Sequence, residues 1–324
     1  MGRKIGDFSI EQLWTYRPEL TNKPDDFWDF WDQEKENMFK ATPKVQINWR
    51  DYPVPTVDVA DLVLDSWDGT PLKGLLVRPK GMEEGPVILG FHGYTGTRGL
   101  PVDYLKWAAL GVAIVIFDVR GQSESPDYAV YDNGSRVAGW MLNGIFNPKK
   151  YYFTNVYRDV LTQLNWVRST AFPIGVTQLG AMGGSQGGGL ALVAAGLDEK
   201  LDFVLSDYPF LTHFERALDI ALSGPYMEFT TYFKWNDAQY SNHEKIMKTL
   251  GYVDSVHFCE RIVAPTLMSI GLEDAVTPPS TAFAAFQYIA SQEKKIEVYP
   301  QFEHEFNVFH EEKKLAFVAE KIRF

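Results

Sequence analysis

The sequence predicts an α/β protein, with a mostly parallel central sheet covered by helices on both faces. Three observations predict it. From Gly85 onward, short apolar runs alternate with helix-forming stretches, the pattern of successive βαβ units. Those runs are apolar throughout, as strands buried on both faces must be. One of them stops at Gly183-Gly184-Ser185-Gln186-Gly187, a serine set among glycines between a strand and a helix.

Residues 1–50 carry Trp28, Trp31 and Phe39 at helical spacing, separated by charges, which predicts an amphipathic helical extension packed on the main body. Residues 57–65 and 72–77 flank Asp68-Gly69, a two-residue hairpin signal, so the sheet opens antiparallel. Parallel strands are expected at 87–91, 113–118, 178–182, 203–206, 266–270 and 296–299. Helices are expected at 102–110, 156–169, 185–197, 281–289 and 312–321. The stretch 211–261 breaks the alternation with helix formers, the aromatics Tyr226, Phe229, Tyr232, Phe233 and Trp235, and a polar run at 236–244. A doubly wound sheet needs no such insertion after its sixth strand. It reads as a cap over the site or a contact between subunits, within one domain spanning 51–324.

A chain of 324 residues, 45% hydrophobic and 15% aromatic, can bury one large core. Its net charge of −11 and pI near 5.1 argue against nucleic-acid and anionic-membrane partners, which select clustered Lys and Arg. A neutral small molecule fits better. The single cysteine, Cys259, rules out an intrachain disulfide. Its neighbours supply neither a base nor an exposing turn, so it reads as a spectator. The N-terminus has no signal-peptide core, and no stretch reaches the ~18 apolar residues of a membrane span. Gly2 is followed at position six by Gly6, where myristoylation wants Ser or Thr. A cytoplasmic protein is expected.

The glycine-flanked serine has the form of a nucleophile elbow, in which Ser185 occupies a strained strand-to-helix turn and its helix aims a positive end at whatever bonds to it. A serine hydroxyl is a weak nucleophile at neutral pH. It needs a base, and the base needs an acid to fix its tautomer. On an α/β-hydrolase fold these follow in the order Ser, acid, His, at the ends of later strands. The strand 266–270 runs into Gly271-Leu272-Glu273-Asp274, which makes Asp274 the candidate acid and Glu273 the alternative. Only His304 and His310 come later; His304 is nearer the strand end, and His310 falls at the start of the last helix. His92, His213, His243 and His257 precede the acid and read as structural or surface residues. The oxyanion hole needs two donors: the main-chain N–H of Gln186, and that of Tyr94 in the loop His92-Gly93-Tyr94-Thr95-Gly96. No metal or organic cofactor is expected.

With these residues placed, the chain resembles carbohydrate esterase family seven, the acetyl xylan esterase and cephalosporin-C deacetylase group. Three signatures carry the resemblance: Arg120-Gly121-Gln122, the Gly183-to-Gly187 elbow, and His304-Glu305. Further similar stretches are Gly139-Trp140-Met141, Tyr151-Tyr152, Asp207-Tyr208-Pro209-Phe210, 213–217 and 278–281, so the similarity covers nearly the whole chain. It implies a serine esterase that deacetylates small acetylated sugars and cephalosporin C. The family triad falls on Ser185, Asp274 and His304, and its oxyanion amides on Tyr94 and Gln186. It also implies a structural role for Arg120, Gly121 and Gln122 near the site, and a homohexamer, a dimer of trimers, with the insertion at the subunit contacts. Phe210 and Pro225 are expected to line the substrate pocket. The loop 123–136, SESPDYAVYDNGSR, is shorter and less glycine-rich than in some members. Other hydrolases of this fold, a long-chain lipase or a peptidase, are the alternatives.

Overall fold

The computed structural model describes residues 6–132 and 137–322; Gly2 and the last four residues of the 123–136 loop lie outside the described residues. Among the described residues the sheet has nine strands: β1 (Lys44–Arg50), β2 (Val57–Asp65), β3 (Pro71–Pro79), β4 (Glu84–Phe91), β5 (Ala113–Phe117), β6 (Gly175–Gly184), β7 (Phe203–Asp207), β8 (Thr266–Gly271) and β9 (Lys294–Tyr299). They lie in the order β1-β2-β3-β5-β4-β6-β7-β8-β9. The first three pair antiparallel, β3 meets β5 antiparallel, and every pairing from β5 onward is parallel. The chain grows from β4 to β5 in one direction and then crosses back to β6 on the other side. The carboxyl ends of β4 and β6 therefore form the switch-point crevice where open α/β sheets bind ligands.

Alternation along the strands feeds two cores. Val87, Leu89, Ala113 and Val115 pack into one, under α2 (Phe27–Lys40), α4 (Tyr152–Val167) and α5 (Gln186–Leu197). Ile88, Ile114 and Ile116 pack into the other, with Trp107 of α3 (Leu105–Ala109) and Val318 of α10 (Val308–Lys321). Helices thus cover both faces, as a doubly buried sheet requires. The hairpin at Asp68-Gly69 forms as expected: Gly69 has φ +81° and the Asp68 side chain accepts from Thr70 N–H at 3.0 Å.

Two expectations are corrected. Residues 44–50 are not helical. Val45 and Ile47 are half-buried between exposed neighbours, a period of two rather than 3.6, and they pair with β2 as a strand. The helical part of the extension ends at α1 (Ile10–Thr15) and α2, where Trp31 is fully buried and donates its indole N–H to Tyr252 O at 2.7 Å. The extra strand also makes the insertion follow the seventh strand, β7, rather than the sixth. The insertion contains α6 (Phe214–Ile220), α7 (Met227–Asn236) and α8 (His243–Gly251), and leads through a 3₁₀ turn, Ser255–Arg261, to β8. The helix expected at 102–110 begins as a 3₁₀ turn, Pro101–Tyr104. Among the described residues no helix is long and apolar enough to cross a membrane.

Candidate active site

Ser185 stands between β6 and α5 with φ 57° and ψ −121°, a conformation costly for any residue with a side chain. Its surroundings hold it there. Its N–H donates to Asp207 O at 3.0 Å, and its carbonyl accepts from Gly189 N–H at 3.1 Å and Phe210 N–H at 2.9 Å. A Cβ on Gly183 would strike the Gly187 backbone, and one on Gly187 would strike the Phe91 carbonyl, so this turn closes only with glycine at both places.

Asp274 is fully buried at the end of β8. One carboxylate oxygen accepts from Val276 N–H at 2.9 Å and Thr277 N–H at 2.8 Å; the other accepts from the Thr277 hydroxyl and from His304 Nδ1–H, each at 2.8 Å. Since an ionised carboxylate only accepts, this contact assigns the imidazole proton to Nδ1. His304 Nε2 then turns its lone pair to the Ser185 hydroxyl at 2.9 Å. Glu273, the alternative acid, is not the carboxylate that meets His304. His310, the alternative base, sits 3.1 Å from the Tyr299 hydroxyl and 2.9 Å from Asp207, not at the serine.

The loop after β4 is shaped by His92. Its Nε2 accepts from Val119 N–H at 2.8 Å and its Nδ1–H donates to Gly93 O at 2.7 Å, while burial, foremost, lowers its pKa and keeps the ring neutral. Thr95 is left-handed, φ 60°, and Gly96 N–H returns to Gly93 O at 2.9 Å. Gln186 is the first residue of α5, so its N–H has no intrahelical acceptor and lies at the positive end of the helix.

Gln122 joins these two loops. Its carbonyl accepts from Thr95 N–H at 3.0 Å, and its amide nitrogen donates to Gln186 Oε1 at 2.9 Å and the Tyr152 hydroxyl at 3.0 Å. Arg120, fully buried, donates to both oxygens of Asp159 at 2.6 and 2.7 Å, to both oxygens of Asp68 at 2.9 and 3.2 Å, and to Asp127 at 3.1 Å. Burial opposes its charge most strongly, but these carboxylates outweigh burial and raise its pKa. Gly121 has φ 69°, and a Cβ there would crowd the Trp140 indole nitrogen at 2.8 Å.

A cleft of about 700 Å³ opens over Ser185 and His304, lined also by Tyr94, Tyr208, Trp107 and Phe306. Phe210 and Pro225 do not line it. The hydrogen bond from Phe210 N–H to Ser185 O turns that segment inward, so the ring packs at 5.9 Å on Tyr94 and 4.7 Å on Tyr226 in the core. Tyr208, two residues earlier and at φ 32°, faces the cleft instead, its ring edge-on to His304 at 4.9 Å. Pro225 follows Leu222 and Ser223, whose N–H groups donate to Ala275 O, and its own carbonyl accepts from Glu228 N–H at 3.0 Å. Sequence reasoning passed over Thr277, while His92 takes the structural role expected of it, bonding the backbone at Gly93 and Val119. A larger depression of about 870 Å³, between residues 21–26 and α6 and α8, contains none of these groups. Volume alone does not mark the site.

The chain is similar to known proteins over nearly its whole length. The acetyl xylan esterase (AXE1) family profile matches residues 3–321. An acetyl xylan esterase from Paenibacillus sp. R4 superposes with a TM-score of 0.92 at 40% identity, covering 97% of this chain and 100% of that one. Acetyl xylan esterase 1 from Thermoanaerobacterium sp. JW/SL YS485 superposes with a TM-score of 0.90 at 30% identity, over 97% and 99% of the two chains. The acetyl esterase Axe7A of Xylanibacter ruminicola is 27% identical over 312 residues, 90% of this chain, and the chain spans 65% of that protein's length. The α/β-hydrolase sheet, the serine elbow and a profile match over nearly the whole sequence place this chain in the acetyl xylan esterase family of carboxylic ester hydrolases.

Proposed function

We propose that this chain is a serine esterase that removes acetyl groups from acetylated xylo-oligosaccharides and other small acetylated sugars through an acetyl-enzyme on Ser185. The observation that carries the reading is the unbroken run of contacts from Asp274 through His304 to Ser185, at 2.8 and 2.9 Å, opening into the cleft. Ser185 Oγ attacks the acetyl carbonyl carbon while its proton passes to His304 Nε2. The carbonyl oxygen becomes an oxyanion that accepts from the main-chain N–H groups of Tyr94 and Gln186. The bond to the sugar oxygen breaks, and that oxygen leaves with the proton from His304. Water then gives a proton to His304 and attacks the acetyl carbon; acetate departs and Ser185 recovers its hydroxyl. Asp274 stays ionised and stabilises the imidazolium in both halves.

The test is acetyl release from p-nitrophenyl acetate and acetylated xylo-oligosaccharides by Ser185→Ala, together with fluorophosphonate labelling of the unaltered enzyme. Activity should fall by roughly 10³-fold or more, and the label should sit on Ser185. An alanine variant with undiminished turnover would end the proposal. Cephalosporin C is the second proposed substrate, because its 3′-acetyl ester asks for the same chemistry. The cleft, however, is lined by Asp103, Asp207, Glu305 and Glu311 against Lys106 and Lys314, an acidic balance that favours the neutral sugar esters.

A further inference from the structure

We propose that Glu228, on the first turn of α7 in the insertion, is a positioning residue for the oxyanion loop: it grips the Tyr94 side chain and thereby aims the Tyr94 main-chain N–H. The inference rests on the preceding reading, in which that N–H is one of the two oxyanion donors. Glu228 Oε1 accepts from the Tyr94 hydroxyl at 2.6 Å, and Oε2 accepts from Met141 N–H at 3.0 Å. The Tyr94 oxygen accepts in turn from Trp140 N–H at 2.7 Å, and the Trp140 ring stands edge-on to Tyr94 at 5.3 Å. Three segments remote in sequence thus meet on one carboxylate: the loop after β4, residues 139–141, and the insertion.

The close approach is built in. Gly139 has φ +108°, and a Cβ there would fall inside contact distance of the Glu228 carboxylate, so any larger residue would push the carboxylate away. Among the described residues, the groups acting on the Glu228 carboxyl are Tyr94 and Met141, with no Lys or Arg among them. The titratable groups facing it are Tyr94 from the loop after β4 and Tyr151 at the start of α4; both phenols are raised above their usual range, chiefly by burial and next by this carboxylate. Burial also raises the Glu228 carboxyl to about 7, against the opposing bonds from Tyr94 and Met141.

The hydrogen-bond count fits the ionised form. Tyr94 O–H and Met141 N–H each point at a carboxylate oxygen, and Trp140 N–H occupies the phenol oxygen, so every donor has an acceptor. A protonated Glu228 adds a donor facing donors, and the bond to Tyr94 loosens. Activity should therefore rise as Glu228 ionises. Stability moves the other way. A carboxyl raised in the folded state holds its proton longer than it does unfolded, so the wild type loses stability as pH climbs from about 4.5 to about 7, and not above.

The test is the pH dependence of kcat and KM for Glu228→Gln on p-nitrophenyl acetate, with Tyr94→Phe beside it. The glutamine keeps an acceptor for Tyr94 but sets an NH2 against Met141 N–H, so kcat should fall about 10-fold with KM little changed, less than the ~10²-fold or more for an oxyanion donor removed outright. The acid limb of kcat/KM should lose the contribution of Glu228 and become simpler. Tyr94→Phe, which keeps the main-chain donor and loses only the hydroxyl, should give the same loss and the same simpler limb; it carries the test if Glu228→Gln does not fold. Urea midpoints across pH 4 to 8 report any purely structural effect separately. Wild-type kcat and an unchanged acid limb in these variants, with Ser185→Ala inactive, would overturn this inference alone. An active Ser185→Ala would instead remove the reading beneath it.

Discussion

A carboxylate offers about four lone-pair sites, and Asp274 fills them with four donors: two main-chain N–H groups, the Thr277 hydroxyl and His304. That saturation makes Asp274→Asn a sharp probe, because the amide nitrogen must face donors whichever way it turns. If it faces Val276 and Thr277, an amide is left opposed to two N–H groups. If it faces His304, the ring proton moves to Nε2 and the serine loses its base. kcat should fall by about 10⁴-fold with KM nearly unchanged, measured on p-nitrophenyl acetate; a loss below about 10-fold would contradict the tautomer assignment. Ser185, Asp274 and His304 were legible in the sequence because each follows a recognisable strand end in the order the fold imposes. Thr277, Tyr208 and Glu228 were not. Nothing in a linear sequence says that a hydroxyl three residues past an aspartate will turn back to it, or that an insertion glutamate will reach a tyrosine 134 residues away.

At the scale of elements, α10 matters because it anchors the loop that carries His304. Asp207, at the end of β7, accepts from Lys314 of α10 at 2.7 Å and from Ser269 of β8 at 3.0 Å, while its own carbonyl receives the Ser185 N–H. One residue thus fixes both the elbow and the helix behind the base. Burial works most strongly against its charge, yet Lys314 and His310 outweigh burial and hold its carboxyl far below the ordinary 3.8. A depressed acid contributes stability that is present at neutral pH and is lost as pH falls below about 4. Lys314 is itself 6% exposed and also pairs with Glu311, so Lys314→Met leaves two carboxylates without their buried cation. The variant should lose about 3–5 kcal/mol in urea unfolding at pH 7 and less near pH 3, with kcat reduced through displacement of His304. An unchanged midpoint would show that α10 is held by packing alone. The strand β1 shows why element prediction failed locally. Lys44–Arg50 has only two half-buried apolar side chains and follows a strong helical pattern, so what makes it a strand is its seven-residue register against β2, a tertiary fact.

For the whole molecule, the sheet order was foreseeable only as a class. Alternating strands and helices predict a parallel doubly wound sheet, but the reversal that sets β4 beside both β5 and β6 is a choice among topologies, and it creates the crevice in which Tyr94 and Ser185 meet. Charge acts at the same scale. A net −11, with acidic side chains prevailing around the cleft, surrounds the mouth with a potential that repels anions and leaves neutral sugars unaffected. Cephalosporin C carries net negative charge at neutral pH, so its encounter should be slowed at low salt and relieved as screening shortens from about 30 Å at 0.01 M to about 8 Å at 0.15 M. kcat/KM for cephalosporin C should rise about 3- to 10-fold across that range, mostly through KM, while kcat/KM for an acetylated xylo-oligosaccharide stays flat. Replacing Glu305, which lines the cleft and accepts from Glu303 N–H at 3.3 Å, by Gln should shrink the salt response of cephalosporin C, while kcat/KM for the neutral ester stays independent of salt. If both substrates respond alike to salt, the acidic rim does not select between them, and their ranking depends on the fit of the sugar ring or the cephem nucleus against Tyr208, Trp107 and Phe306.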